Sequence, residues 1–306
     1  MNYLHTFTGN PLDRGDVPRR DSEWIASSEK NPRSLILPLW NLKVLLKNPD
    51  NPVLAWLSPS QILEMGNDFK PMFLGLKSNV AHFTVDVSIL GSPIKELKLE
   101  KGLWFEDARM AASQLTVPEN GILAQSRSQV DWHNRNRFCG LCGELTTPVR
   151  GGQVRMCNGC QTEHFPRTDP VVIMLVHNEN KCLLGQSHGR LSKTGMYSAL
   201  AGFMDQGESI EEAVRREVME ESGITVGAVN YHSSQPWPFP SSLMIGCHAK
   251  AESSEIVADK SEMADVRWFE KNQILRALAD KDPELKIPAP IAIAHHLIKS
   301  WAENTI

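Results

Sequence analysis

The chain has 306 residues, 41% of them hydrophobic and 22% charged, and a formal charge of −4. That length suits two domains of about 150 residues, and the balance is that of a soluble globular protein without a broad electrostatic claim on nucleic acid or membrane. The longest apolar run, Val171 to Val176, is far too short to span a bilayer. The first residues lack a basic end followed by an apolar run, and the last match no S-K-L- or K-D-E-L-type address, so residence in the cytoplasm is expected.

Residues 1 to about 105 read as mixed. Ser34–Leu39 and Val80–Val87 have strand character, the second with Ala81, Phe83, Val85 and Val87 alternating against polar neighbours. Pro- and Asn-rich breaks at Asn48–Pro52 and Ser58–Pro59 separate short elements. Glu106–Leu115 and Pro118–Arg135 read as helices, Pro118 suiting a first turn.

From about Phe138 to Phe165 the chain is too short and polar to build its own core. It carries Cys139-x2-Cys142 and Cys157-x2-Cys160 with 14 residues between the pairs. Paired C-x-x-C at this spacing reads as a structural tetrahedral zinc site rather than two disulfides, the metal supplying the folding energy. His164 is a competing candidate ligand, but four cysteines already fill that zinc and leave no open position. Cys182 and Cys247 lie in apolar runs and read as buried free thiols.

Strands are expected at Val171–Val176 and Lys181–Gln186, joined by a turn at His177–Asn180. Leu200–Phe203 reads as a tight loop bringing backbone oxygen toward whatever the next helix binds. That helix starts at a capping box, Ser209 with Glu212, and stops at Gly223, with Ile210, Ala213, Val214 and Val218 as its apolar stripe. Glu217, Glu220 and Glu221 share one side of it near the C-terminus, where macrodipole and mutual repulsion both disfavour them. A hard divalent cation with oxygen ligands explains the cluster. Arg216 reads as an orienting partner for a helix glutamate, with Glu220 at i,i+4. Further strands are expected at Val229–Ser233, Ser242–Ala251 and Ala264–Phe269, and helices at Lys271–Ala279 and Pro290–Glu303. The whole reads as an α/β or α+β sandwich.

Residues Gly202 to Ile224 fit G-x5-E-x7-R-E-U-x-E-E-x-G-U, with U apolar, at all nine specified positions: Gly202, Glu208, Arg216, Glu217, Val218, Glu220, Glu221, Gly223 and Ile224. This segment resembles the Nudix signature. The array Ser234-Gln235-Pro236-Trp237-Pro238-Phe239-Pro240, followed by Ser241 and Ser242, resembles that of the NADH pyrophosphatases, which also act as NAD-cap hydrolases on RNA. The likeness runs from about Glu106 to Glu303 and includes the cysteine quartet. It implies a Nudix α/β/α sandwich at 167–306, a four-cysteine zinc ribbon at 138–166 and a leading mixed α/β domain at 1–137.

The resemblance implies cleavage of the NAD(H) pyrophosphate to nicotinamide mononucleotide and AMP, and removal of NAD caps from RNA. The catalytic cation would be Mg²⁺ or Mn²⁺, and a homodimer is expected. Residue by residue, it implies metal ligation by Glu217, Glu221, Glu262 and the backbone of Ala201, with Glu220 completing the acidic cluster. The general base stays open between Glu220 and Glu221. Phe203 is expected to stack on a base, and Phe165 stands where related chains often have tyrosine, keeping an aromatic face without a hydroxyl. Trp237 and Phe239 offer flat faces on a proline-stiffened loop, and Gln235 and the serines offer hydrogen bonds to ribose or amide. Ala294 is expected to lend backbone to the pocket, and Arg109 is a candidate phosphate contact. Two other readings remain: a Nudix hydrolase acting mainly on ADP-ribose, FAD or diadenosine polyphosphate, and a zinc-ribbon adaptor binding RNA through Arg135, Arg137 and Arg150.

Overall fold

The computed structural model describes residues 5–66 and 69–305. The described residues divide into two compact units, one formed by 6–168 with Trp237–Ser241, the other by 169–236 and 242–305 with His5.

In the first unit the helices α1 (Asp16–Arg20) and α2 (Ser22–Lys30) precede strands β1 (Leu35–Trp40), β2 (Lys43–Lys47) and β3 (Val53–Leu54), then α3 (Pro59–Leu63), β4 (Met72–Lys77) and β5 (Val80–Asp86). The strands order as β3-β2-β1-β5-β4, with β1 and β5 parallel. After α4 (Pro93–Glu96), β6 (Leu103–Glu106) joins β2. The helix expected at Glu106–Leu115 is present but shorter, α5 (Ala108–Ala112), because Glu106 is taken by the end of β6. Phe105 and Trp104 pair with Leu45 and Leu46, so sheet closure overrides local propensity there. Helix α6 (Val117–Arg135) starts at a Thr116/Glu119 capping box with Pro118 in its first turn and lies on β1, β4 and β5. Ile25, Ile36, Leu45, Ile62, Phe73 and Phe83 fill the core on the other side.

The ribbon follows as three short strands, β7 (Thr146–Val149), β8 (Val154–Cys157) and β9 (Glu163–His164). Arg155 ties it to α6. Its guanidinium donates to Thr146 Oγ1 and O at 2.7 Å and to His133 Nδ1 at 2.8 Å, while His133 Nε2 faces the Gly152 carbonyl at 2.7 Å.

In the second unit β10 (Asp169–His177) and β11 (Lys181–Ser187) form a hairpin, and a short helix α7 (Arg190–Thr194) leads to β12 (Leu200–Phe203). The tight loop expected at Leu200–Phe203 is thus a strand: it pairs antiparallel with β10, Val171 opposite Phe203 and Met174 opposite Leu200. Then come α8 (Ile210–Ser222), β13 (Val226–Trp237), β14 (Ser242–Ala251), β15 (Met263–Glu270), α9 (Lys271–Leu278) and α10 (Ile293–Ala302). The order is β13-β14-β10-β11-β15, with β10 and β14 parallel. Side-chain alternation on β10 makes the layers. Val172, Met174 and Val176 point to Ala213, Val214 and Val218 of α8, whereas Ile173 and Leu175 point to Ile274 of α9 and to Leu297 and Ile298 of α10. This is the α/β/α sandwich. Among the described residues no helix is long and apolar enough to cross a membrane.

Candidate active site

The acidic helix is positioned by strong local signals. Ser209 Oγ accepts from Glu212 N at 3.2 Å, Glu212 Oε2 accepts from Ser209 N at 2.7 Å, and Gly223 ends α8 with φ 69°. Glu217 and Glu221 project from one side of α8 into buried positions beside β12, while Glu220 stays exposed. The approach at Gly202 is very close. A β-carbon there would lie 1.9 Å from Glu217 Cδ and 2.0 Å from Oε2, so only glycine leaves room for the carboxylate.

Arg216 organises the cluster. Its Nε and Nη2 form a two-pronged pair with Glu208 at 2.6 and 2.9 Å. Nη1 reaches Glu217 Oε1 at 2.8 Å and Glu220 Oε2 at 2.9 Å, and Nη2 also donates to the Phe203 carbonyl at 2.9 Å. Arg216 is therefore the orienting partner expected, but its main anchor is Glu208, which the helical spacing did not suggest. The signature itself was the available signal, because it specifies a glutamate eight positions before the arginine. The guanidinium beside it holds Glu208 down to about 2, helped by the Asp205 backbone N–H, and Glu208 in turn pushes Arg216 further up.

Burial, then Glu217, raises the Glu221 carboxyl to about 8. Burial also raises Glu217. The Ala201 backbone hydrogen-bonds the Glu221 carboxyl, and Glu262 adds repulsion to both. Glu221 Oε2 is buried with no hydrogen-bond partner. A buried carboxylate oxygen without a donor, among other carboxylates, is the environment a divalent cation satisfies. The donor set of Glu217, Glu221 and Glu262 is all oxygen and fits a hard cation. Glu262 arrives from the turn after Asp259, where Met263 N donates to the Asp259 carbonyl at 2.8 Å, and it is exposed. The carboxylates are looser than the thiolates. Among the described residues only the cysteine quartet brings its ligand atoms within 4.8 Å of one another.

In that quartet the Cys139–Cys160 and Cys142–Cys157 sulfur pairs stand at 3.7 and 3.4 Å, and all are free thiols. A tetrahedron with Zn–S of about 2.3 Å has edges near ~3.8 Å, so the sulfurs fit zinc and not disulfides. Backbone N–H groups of Leu141 and Cys160 donate to Cys139 and Cys157, each at 3.4 Å. His164 Nε2 lies 3.2 Å from Cys139 Sγ, which makes it a neighbour of a ligand and not a competitor for the metal.

The other candidates divide between the units. Phe203 is 61% exposed at the end of β12, free to stack. Gln235 is not available to a ribose. It is fully buried, with Nε2 donating to Ile291 O and Oε1 accepting from Ile293 N, both at 2.8 Å, so it braces the approach to α10. Ala294 is buried in the first turn of that helix, its side chain in the core. Pro236 and Ser242 sit at the facing ends of β13 and β14, each half-buried.

In the first unit Trp237, Phe239 and Phe7 meet edge to face with centroids 5.3–5.8 Å apart. The Arg109 guanidinium lies 3.8 Å from the Phe239 ring centroid and Arg127 4.5 Å. Arg127 also bonds the Pro238 carbonyl, and Ser128 Oγ donates to Pro240 O at 3.2 Å. Pro240 follows a cis peptide bond, and Ser241 is half-buried beside it. Arg109 thus belongs to the loop's aromatic platform, a placement invisible from its helical context. Arg127 went unnoticed for the same reason. Phe165 is exposed at the end of the ribbon.

Comparison with known proteins follows this anatomy. The NUDIX domain matches 167–288, the NADH pyrophosphatase zinc ribbon domain 134–165 and the NADH pyrophosphatase-like rudimentary NUDIX domain 33–132. The Homo sapiens NAD-capped RNA hydrolase NUDT12 is 35% identical over 96% of this chain and 72% of its own length. The mitochondrial NAD(P)H pyrophosphatase NUDT13 of Mus musculus is 38% identical over 76% of this chain and 67% of its own. The NAD-capped RNA hydrolase NudC of Pseudomonas syringae is 37% identical over 69% and 73%. The chain belongs to the Nudix hydrolases, in the branch that joins an NADH pyrophosphatase zinc ribbon to a complete and a rudimentary NUDIX domain.

Proposed function

We propose that the protein hydrolyses the pyrophosphate bond of NAD(H), giving nicotinamide mononucleotide and AMP, and removes NAD caps from RNA to leave a 5′-monophosphate. The observation that carries this reading is the buried Glu217–Glu221 pair packed over Gly202 with one carboxylate oxygen unpartnered. The names of the similar proteins, which specify NAD caps and NAD(P)H, support the choice of substrate.

Glu217, Glu221, Glu262 and the Ala201 backbone would hold Mg²⁺ or Mn²⁺. When bound, such a cation neutralises phosphate oxygens and makes water nucleophilic near neutral pH. Arg216 keeps Glu217 and Glu220 from splaying and ties α8 to the Phe203 carbonyl. Glu220 or Glu221 accepts the proton of the attacking water as its oxygen bonds to one phosphorus and the P–O–P bridge breaks. Phe203 supplies a face for a base. Domain boundaries at 137/138 and 166/167, a homodimer and cytoplasmic residence belong to the same proposal.

Glu221→Gln is the direct test. At neutral pH the cation-free carboxyl is largely protonated, and an amide mimics that form in size, so the fold and zinc content stay while NADH turnover is lost. Persistence of NADH hydrolysis in this variant would refute the carboxylate assignment.

A further inference from the structure

Against a net charge of −4, the stretch of chain from β11 to β12 carries only basic charged side chains. From Lys181 to Phe203 there is no acidic residue, and Arg190 and Lys193 stand exposed on α7. Gly189 and Gly195 bracket that helix with φ of 94° and 68°, and an added β-carbon at either would meet nothing within 4 Å, so the surface there is open. The loop is fastened to the Glu262 turn. His188 N donates to the Glu262 carbonyl at 3.0 Å, and His188 Nε2 lies 3.0 Å from the Lys260 carbonyl. Its far end is fastened to Lys286, whose carbonyl accepts from Tyr197 N at 2.9 Å. Lys260 and Lys286 are themselves exposed. None of these four cations has an ion-pair partner among the described residues.

A free dinucleotide carries two phosphates, and the divalent cation that the carboxylates would hold answers that charge. Arg190, Lys193, Lys260 and Lys286, on or fastened to the loop that is tied to the Glu262 turn, are four cations beyond the charge of that metal site. A capped RNA adds one further phosphate per nucleotide next to the bond to be cut. We propose that the Gly189–Gly195 loop, with Lys260 and Lys286, is a subsite for the phosphates of an RNA chain continuing from the capping dinucleotide. The inference rests on the reaction assigned above. It makes Arg190 and Lys193 determinants of preference between capped RNA and free NAD(H).

The test uses Arg190→Gln with Lys193→Gln, both fully surface positions, on the full chain. With NADH the variant matches wild type within about twofold. With NAD-capped RNA kcat/KM falls, and its dependence on salt becomes shallower. Each phosphate contact on single-stranded nucleic acid contributes a log–log slope of about 0.7, so two contribute about 1.4, or roughly sevenfold between 50 and 200 mM salt. Equal losses on both substrates overturn the proposal, because the cations would then serve the pyrophosphate. No loss on capped RNA overturns it as well. Binding of a 5′-monophosphate RNA, read by fluorescence anisotropy across the same salt range, separates this inference from the reaction. The slope difference between wild type and variant is expected there even if neither substrate turns over, and equal slopes overturn the subsite.

Discussion

Gly202→Ala probes the site through a single methyl group. Gly202 lies in β12 with a backbone conformation that alanine adopts, so no strain arises from φ. The new β-carbon would fall 1.9 Å from Glu217 Cδ, and an ordinary contact begins near 3.4 Å, so the carboxyl must retreat by 3.4 − 1.9 = 1.5 Å. The three nearest atoms all belong to the end of the Glu217 side chain, so the overpacking cost stays at about 1–3 kcal/mol and the fold survives. The catalytic cost is larger. A displacement of about 1 Å at a reacting centre is worth ~100-fold, or about 2.7 kcal/mol at 1.36 kcal/mol per decade. The assay is steady-state NADH hydrolysis with Mg²⁺ titrated from micromolar to tens of millimolar. A kcat at least about 100-fold lower and a raised Mg²⁺ requirement are expected, with circular dichroism and zinc content unchanged. A variant whose kcat stays within about threefold of wild type at low Mg²⁺ would refute the role given to Glu217.

Two further outcomes follow from the other unit. Cys142→Ser removes one corner of the sulfur tetrahedron, so the protein is expected to lose its zinc, measured by elemental analysis, and the 138–166 segment to become protease-sensitive; retained stoichiometric zinc would contradict the four-thiolate site. His133 is locked neutral between the Arg155 guanidinium and the Gly152 carbonyl, and burial, first among the causes, lowers it from 6.5 to about 4. Its folded value lies below the unfolded one, so the unfolded chain takes the proton first. Stability is therefore intact above pH 6.5 and falls as pH drops toward 4, by about 3 kcal/mol from this group at 1.36 kcal/mol per unit. Urea midpoints measured from pH 7.5 to 4 should fall less steeply in His133→Gln, and identical slopes would contradict the assignment.

What could be read in the sequence was what depends on neighbours along the chain. The bounds of α8 follow from Ser209, Glu212 and Gly223, all within a turn of the helix ends. The thiolate cluster follows from two C-x-x-C pairs, each a local knuckle. Partnerships across the chain were not legible. Leu200–Phe203 becomes a strand only because Val171–Met174 lies beside it, and Leu103–Glu106 only because β2 does. Gln235 looked like a ligand contact because its partners, Ile291 and Ile293, are more than fifty residues away. Arg109 reads as an ordinary surface arginine until Phe239, 130 positions on, is found beneath it. Electrostatics behaved likewise: spacing showed Glu217, Glu220 and Glu221 together, but not that the first and last are buried and Glu220 exposed.

The central claim is that this carboxylate cluster cleaves the pyrophosphate of NAD in free and RNA-capping form. One preparation should be given NADH, NAD⁺ and NAD-capped RNA in competition, with and without Mg²⁺ or Mn²⁺, and the products identified by mass. Nicotinamide mononucleotide from NAD⁺ and capped RNA and its reduced form from NADH, with AMP or 5′-monophosphate RNA as the second product and no reaction in chelator, is the predicted result. Turnover of ADP-ribose, FAD or diadenosine polyphosphate under the same conditions, with NAD(H) and capped RNA untouched, would contradict it.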